Sequence, residues 1–223
     1  FKSSIPAGLP DDIEFNPGGL AVAWAEENSR SAIFDAFQRK EVYGTSGPRF
    51  IVRFFVGDNL DKNMCNNPEN ISYAYANATP MGGTISSDSL AQPSIFISAS
   101  ADSSIKDQFI EKLQVVKGVV RNGELLTSIH DVGVTDTQSK LDISNCEVTG
   151  SGEKAMCSVW NDPNFNSSEN AYYYVRVVAN KSCRWSHNLC LQNPEYCEAD
   201  SDASIPKVIQ ERAWTSPVWL EST

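Results

Sequence analysis

The sequence predicts a mainly β protein, an antiparallel β-sandwich preceded by one strand–helix unit. Three observations support this. After Pro48, seven short runs rich in β-branched and aromatic residues succeed one another, with turn residues between them and no helical repeat. Asn122-Gly123 divides "GVVRNGELL" as a tight hairpin turn does, because both central positions of such a turn need positive φ. Before Pro48 there is one apolar run followed by one amphipathic, helix-like run.

In chain order, residues 1–18 ("FKSSIPAGLPDDIEFNPG") hold three prolines and no period, and read as an extended arm. "GLAVAWA" (19–25) is short, apolar and preceded by glycine, which favours a buried strand. In "EENSRSAIFDAFQRK", Ser29 suits an N-cap and Ile33, Ala36, Phe37 and Lys40 share a helical face. The turn Gly44-Thr45-Ser46-Gly47 then leads into the β region. It runs from helix to strand and has no Lys after its second Gly, so it reads as a joint rather than a phosphate-binding loop. This places residues 19–48 in one strand–helix unit and 49–223 in a sandwich. The strand candidates are 49–57, 93–100, 111–118, 124–133, 154–160, 171–179 and 213–220. In 171–179, Tyr173, Val175 and Val177 share one face and Arg176 points to the other. Pro217 marks its strand as an edge or bulged one. Residues 58–92 and 180–210 read as long polar loops.

The formal net charge is −10, which disfavours nucleic-acid backbones as partners. No apolar run approaches the ~18 residues of a membrane span. Without Met at Phe1, the chain reads as a mature product or as part of a longer protein. Six cysteines, Cys65, Cys146, Cys157, Cys183, Cys190 and Cys197, form no C-x-x-C pair and read as disulfides of an oxidising compartment, periplasmic or secreted. Their pairing is open by spacing alone. Cys146 and Cys157 flank a "TGSGEK" turn and suit a bridge between neighbouring strands, with at least one further bridge within Cys183, Cys190 and Cys197.

Few residues invite a chemical role. Glu26 and Glu27 are paired carboxylates after a strand, suited to acid–base work or to the charge preference of a first helical turn. His130 beside Asp131 could be an oriented base or a strand-end surface pair. Trp160, Trp185, Trp214 and Trp219 could stack a sugar or serve as cover for the core. No metal-ligand spacing occurs, so no cofactor is expected in this chain.

The stretches "GLAVAWAEENSRSAIFDAFQRKEVYGTSGPRFIVRFF", "PMGGTI", "EKLQVVKG", "VWNDPNFN", "AYYYVRVV", "CRWS" and "IQERAWTSPVW" together resemble the C-terminal portion of a bacterial domain-of-unknown-function family, family number 3604. That family is related to the PHP (polymerase and histidinol phosphatase) superfamily of metal-dependent hydrolases. The resemblance implies an α/β barrel that binds divalent metals through His-x-His and Asp-x-His motifs, and this sequence has neither motif. It further implies that residues 19–48 are the last strand–helix unit of a truncated barrel. Active sites lie at the C-terminal ends of barrel strands, so Trp24, Glu26, Glu27 and Asn28 would face the catalytic side. On this reading the chain is the non-catalytic scaffold or cover of a phosphoesterase-like hydrolase, and its own upstream barrel is its partner. A glycan- or polymer-binding sandwich and a purely structural or oligomerisation domain are the alternatives. Unless the sandwich covers it, the helix at 29–40 is expected to expose an apolar face, to be covered either by a second copy of the chain as a homodimer or by docking onto the chain's own sheet.

Overall fold

The computed structural model describes residues 18–135, 138–197 and 205–222. The proposed arm therefore lies outside the described residues, apart from Gly18. The remainder is a mainly β, sandwich-like structure of two principal sheets, as the sequence predicts.

The smaller sheet has the order β11-β6-β3-β4, with β3 Ile51–Asp58, β4 Ala78–Pro80, β6 Pro93–Ser100 and β11 Ala155–Asn161. All three of its pairings are antiparallel. The larger sheet is organised around β12, Ala171–Cys183. Along one edge β12 pairs with β7 (Ile110–Arg121), and β7 pairs with β8 (Glu124–Val134). Along the other edge it pairs with two strands in succession. Arg176 to Cys183 face β13 (Val208–Thr215), and Ala171 to Tyr173 face β14 (Val218–Glu221). Pro217 lies between these two strands and breaks one long run into two. The last strand is thus neither an edge nor merely bulged. The ladder is interrupted, and the freed groups are used elsewhere: Ser216 N–H donates to Val42 O and Pro217 O accepts from Gly82 N–H. β5 (Thr84–Ser86) adds to β14 in parallel. Asn122, with φ +54°, and Gly123, with φ +81°, make the β7–β8 turn as expected.

The stretch 19–48 contains more than a strand and a helix. β1 is Leu20–Ala23, α1 is Arg30–Gln38, and Val42–Thr45 forms a further strand, β2. Part of the expected Gly-Thr-Ser-Gly turn is therefore extended and hydrogen-bonded. β2 pairs antiparallel with β1 on one side and with β13 on the other, which joins β1 and α1 to the large sheet. Ser46 Oγ bonds the Glu211 carboxylate and accepts from Arg212 N–H, so this turn is tied to β13 by the protein's own groups.

Side-chain alternation explains the core. Val52, Phe54 and Val56 of β3 and Ile95 and Ile97 of β6 face Leu113, Val115, Tyr173, Val175 and Val177 of the large sheet, all fully buried or nearly so. The opposite face of the small sheet has its own cluster, Phe55, Phe96, Leu60, Met64 and Ala74. Ala74 lies on α2 (Asn70–Asn77), a helix within the stretch read as a polar loop. A third short helix, α3 (Trp185–Gln192), lies in the other such stretch.

All six cysteines are paired: Cys65–Cys157, Cys146–Cys183 and Cys190–Cys197. The expected Cys146–Cys157 bridge does not form. Cys157 lies on β11 and joins the cluster under α2, whereas Cys146 lies in the turn between β9 (Lys140–Asp142) and β10 (Glu147–Thr149), a separate two-stranded ribbon. Sequence neighbours across a turn thus end on different sheets. The bridge expected within Cys183, Cys190 and Cys197 does form, between the last two. Three disulfides fit a protein of an oxidising compartment. Among the described residues no helix is long and apolar enough to cross a membrane.

Candidate functional site

The C-terminal end of β1 opens into a cleft of about 470 Å³ lined by Trp24, Ala25, Glu26, Arg39, Glu41, Arg53 and Tyr75. Four segments supply it: the end of β1, the residues after α1 that include Arg39 and Glu41, β3 and α2. Trp24 follows β1 and is anchored by its indole N–H, which donates to Val52 O at 3.0 Å. Arg53 projects from β3, where alternation turns it away from the Val52/Phe54 core face. Tyr75 comes from α2, its ring edge-on to Phe55 with centroids 4.9 Å apart.

Arg53 is the centre of the arrangement. Its guanidinium carbon lies 3.2 Å from the Trp24 ring centroid, a close cation–π stack. Its Nη1 donates to Tyr75 Oη at 2.7 Å. The Tyr75 hydroxyl in turn donates to Glu41 Oε1. Glu41 is buried and lies 3.9 Å from Arg53 and 3.6 Å from Arg39. Burial, and then the Glu41 acceptor, push the Tyr75 phenol up to about 12. Tyr75 is therefore a hydrogen-bond donor throughout the neutral range, not a base. Two arginines are balanced by the two carboxylates of Glu41 and Glu26, so the cleft has no surplus positive charge to hold an anion. Chemically it is a latch that fixes the end of β1 to β3 and α2, and it presents Trp24, Glu26 and Arg39 at an open rim.

The four residues expected to face a catalytic side are thus divided. Trp24 and Glu26 line the latch cleft, while Glu27 and Asn28 line a second hollow of about 360 Å³ with Ala21, Ala23, Ile33 and Phe37. Glu26, Glu27 and Asn28 are all exposed. Ser29 caps α1, accepting from Ala32 N–H at 3.2 Å. Sequence reasoning missed Arg39, Glu41, Arg53 and Tyr75. A charged residue inside the apolar run "RFIVRFFVG" was a signal for Arg53. Glu41 and Tyr75 join only through tertiary packing.

His130 and Asp131 do not form a pair. As neighbours on β8 they point to opposite faces. His130 stacks on Trp160 with centroids 4.8 Å apart, while Asp131 bonds Lys112 and Gln114. The four tryptophans do not form one platform either. Trp160 packs against the core and Trp185 lies beside Arg184, while Trp214 and Trp219 lie on the outer face of the large sheet.

Among the described residues, Cys146, Cys183 and His187 are the one group of three metal-ligand types within reach of each other. The two sulfurs are bonded to each other, and His187 Nε2 lies 2.8 Å from Ile143 O. A disulfide offers no thiolate, so this donor set does not fit a divalent metal of the kind held by His, Asp and Glu.

The architecture is a disulfide-stapled β-sandwich with an attached strand–helix–strand unit. The chain belongs to the family described as Protein of unknown function (DUF3604), whose profile matches residues 5–222. No curated protein and no solved structure matches it significantly.

Proposed function

We propose that this chain is the non-catalytic C-terminal segment of a metal-dependent, phosphoesterase-like hydrolase of the PHP type. It acts there as scaffold or cover for the barrel, in the periplasm or outside the cell. Divalent metals and the chemistry they supply belong to the preceding barrel, the chain's own partner. The supporting observation is the uncovered face of the β1–α1 unit. Ile33, Phe34 and Phe37 are 36%, 60% and 51% exposed, and only Ala36 of α1 is buried. β1 pairs with β2 along one edge and with no strand along the other among the described residues. An apolar helix face beside an open strand edge is what a barrel unit presents when the rest of the barrel is elsewhere. The latch then fixes the strand end that bears Trp24 and Glu26 toward that barrel.

The Phe34→Ser/Phe37→Ser double variant tests this. Both rings are more than half exposed, so the isolated chain is expected to keep its stability within about 0.5 kcal/mol. Burying each ring against a partner is worth roughly 1.5–3 kcal/mol. Binding of the isolated chain to the separately produced preceding region, measured by calorimetry, should therefore weaken at least about 100-fold. Unchanged binding would contradict the proposal. Sedimentation showing a wild-type dimer that the double variant dissociates would assign the face to a second copy instead.

A further inference from the structure

The outer face of the large sheet holds a second, separate arrangement. Tyr172 and Tyr174 alternate outward on β12, and Trp219 of β14 lies directly across from Tyr172. The two tyrosine rings are within 15° of parallel, with centroids 6.4 Å apart, and Trp219 lies 5.3 Å from Tyr172 with its ring tilted 59° to it, so the rings form an angled rather than a flat shelf. Trp219 is 42% exposed although its strand neighbours Val218 and Leu220 are fully buried. The Tyr172 ring lies over Gly118 of β7, where an added Cβ would come 2.2 Å from ring atom Cζ. The missing side chain at Gly118 thus lets this ring lie down on the sheet. Beside the rings runs a groove of about 270 Å³, whose lining includes Val120, Leu125, Asn170 and Glu221; the Asn170 side-chain oxygen accepts from Ser222 N–H and Oγ–H.

We infer that this shelf binds a neutral polysaccharide built of pyranose rings. A pyranose presents apolar C–H faces and a rim of hydroxyls. The faces match the electron-rich faces of tyrosine and tryptophan, and the rim matches phenol, indole and carboxylate groups. The groove lies just below the range for small-ligand sites, which suits one or two sugar rings rather than a protein segment. Charge selects the neutral class. The chain carries −10 overall, and Glu221 lines the groove, while Arg121, the last residue of β7, is already paired with Glu169 at 2.7 and 2.8 Å. An anionic glycan would meet like charge. The shelf lies at the Ala171 end of β12, whereas β13, and through it β2 and β1, attach to the Arg176–Cys183 end. Occupancy of the α1 face therefore leaves the shelf open, and the inference stands whether or not the proposed barrel partner is correct.

The test is affinity electrophoresis of the chain through gels containing hydroxyethylcellulose, laminarin or galactomannan, with polygalacturonate as the anionic control. At least one neutral polymer should retard the wild-type chain and polygalacturonate should not. Trp219→Ala and Tyr172→Ala should each weaken that retardation at least tenfold in dissociation constant, about 1.4 kcal/mol. Tyr172→Phe should retain most of it, and Phe34→Ser on α1 should leave it unchanged. Thermal midpoints establish that each variant is folded, and Trp219→Ala is expected to be so because the ring is exposed. No retardation by any of the neutral polymers would overturn the inference. So would retardation unaffected by Trp219→Ala, or a wild-type dimer dissociated by it, which would mark the shelf as a surface between copies.

Discussion

Replacing both Cys65 and Cys157 with Ala is expected to lower stability by about 4–5 kcal/mol, the largest loss among the three bridges. The bridge closes a separation of 92 residues, against 37 for Cys146–Cys183 and 7 for Cys190–Cys197. The cost of leaving the unfolded chain unlinked grows with the logarithm of that length, giving about 4 and about 2 kcal/mol for the other two. Location adds to the effect. The bridge ties the segment before α2 to β11, across the second cluster of Phe55, Phe96 and Met64. Without it α2 is held by a small apolar contact and by the Tyr75–Arg53 latch. Urea denaturation of the three paired-Ala variants reads the order directly. A loss for Cys65/Cys157 no larger than that for Cys190/Cys197 would contradict it.

Lys117→Met is expected to cost about 3–5 kcal/mol, because it leaves a buried carboxylate without its cation. Lys117 Nζ bonds Asp162 Oδ2 and, at 2.8 Å, Asn164 O. The Tyr173 hydroxyl donates to the same carboxylate oxygen at 2.6 Å. Asp162 and Tyr173 are fully buried and Lys117 is nearly so. Burial alone would raise the Asp162 carboxyl. Hydrogen bonds from Lys117, Tyr173 and the Asn164 N–H outweigh it and hold the group below the usual aspartate range. Burial, and after it the same carboxylate, pushes the Tyr173 phenol far up. A depressed carboxyl contributes stability that is full above the unfolded-state value of about 3.9 and is lost as pH falls through the folded-state value. The wild type should therefore lose stability in acid more steeply than Asp162→Asn. The double variant Lys117→Met/Asp162→Leu should recover part of the single variant's loss, since removing both charges removes the orphan. A Lys117→Met protein within 1 kcal/mol of wild type by urea denaturation would show that the pair holds little. The network also fixes the start of the loop that leads to Glu169 and Asn170, so it links the core to the aromatic shelf.

The parts legible in the sequence share a physical origin. β3, β6, β7, β8, β11 and β12 are long enough for alternation and turn residues to mark them, and Asn122-Gly123 determines its hairpin through φ alone. Placing Tyr173, Val175 and Val177 inward follows from period two. β2, α2 and α3 escaped notice because four to eight residues give too little periodicity, and each is held by what it packs on. Val42–Thr45 is a strand because β1 and β13 flank it, and Gly44 hid that. Disulfide partners were not legible because adjacency across the 150–154 turn says nothing about which sheet receives each flank. The latch shows the same limit. Trp24 and Glu26 follow from the end of β1, but Glu41, Arg53 and Tyr75 reach them from separate elements. No local pattern accounts for an amphipathic helix that leaves its apolar face in water; the proposed barrel partner is the reading that would.

The central claim is that this chain supports chemistry it does not perform. Turnover of bis(p-nitrophenyl) phosphate in the presence of manganese, compared between the isolated chain and the protein that includes its preceding region, tests it most directly. The account predicts turnover by the longer protein, and none by the isolated chain above metal alone, because among its described residues no three carboxylates or imidazoles lie within ligand reach of one another. Metal-dependent turnover by the isolated chain, at a rate comparable with that of the longer protein, would contradict it.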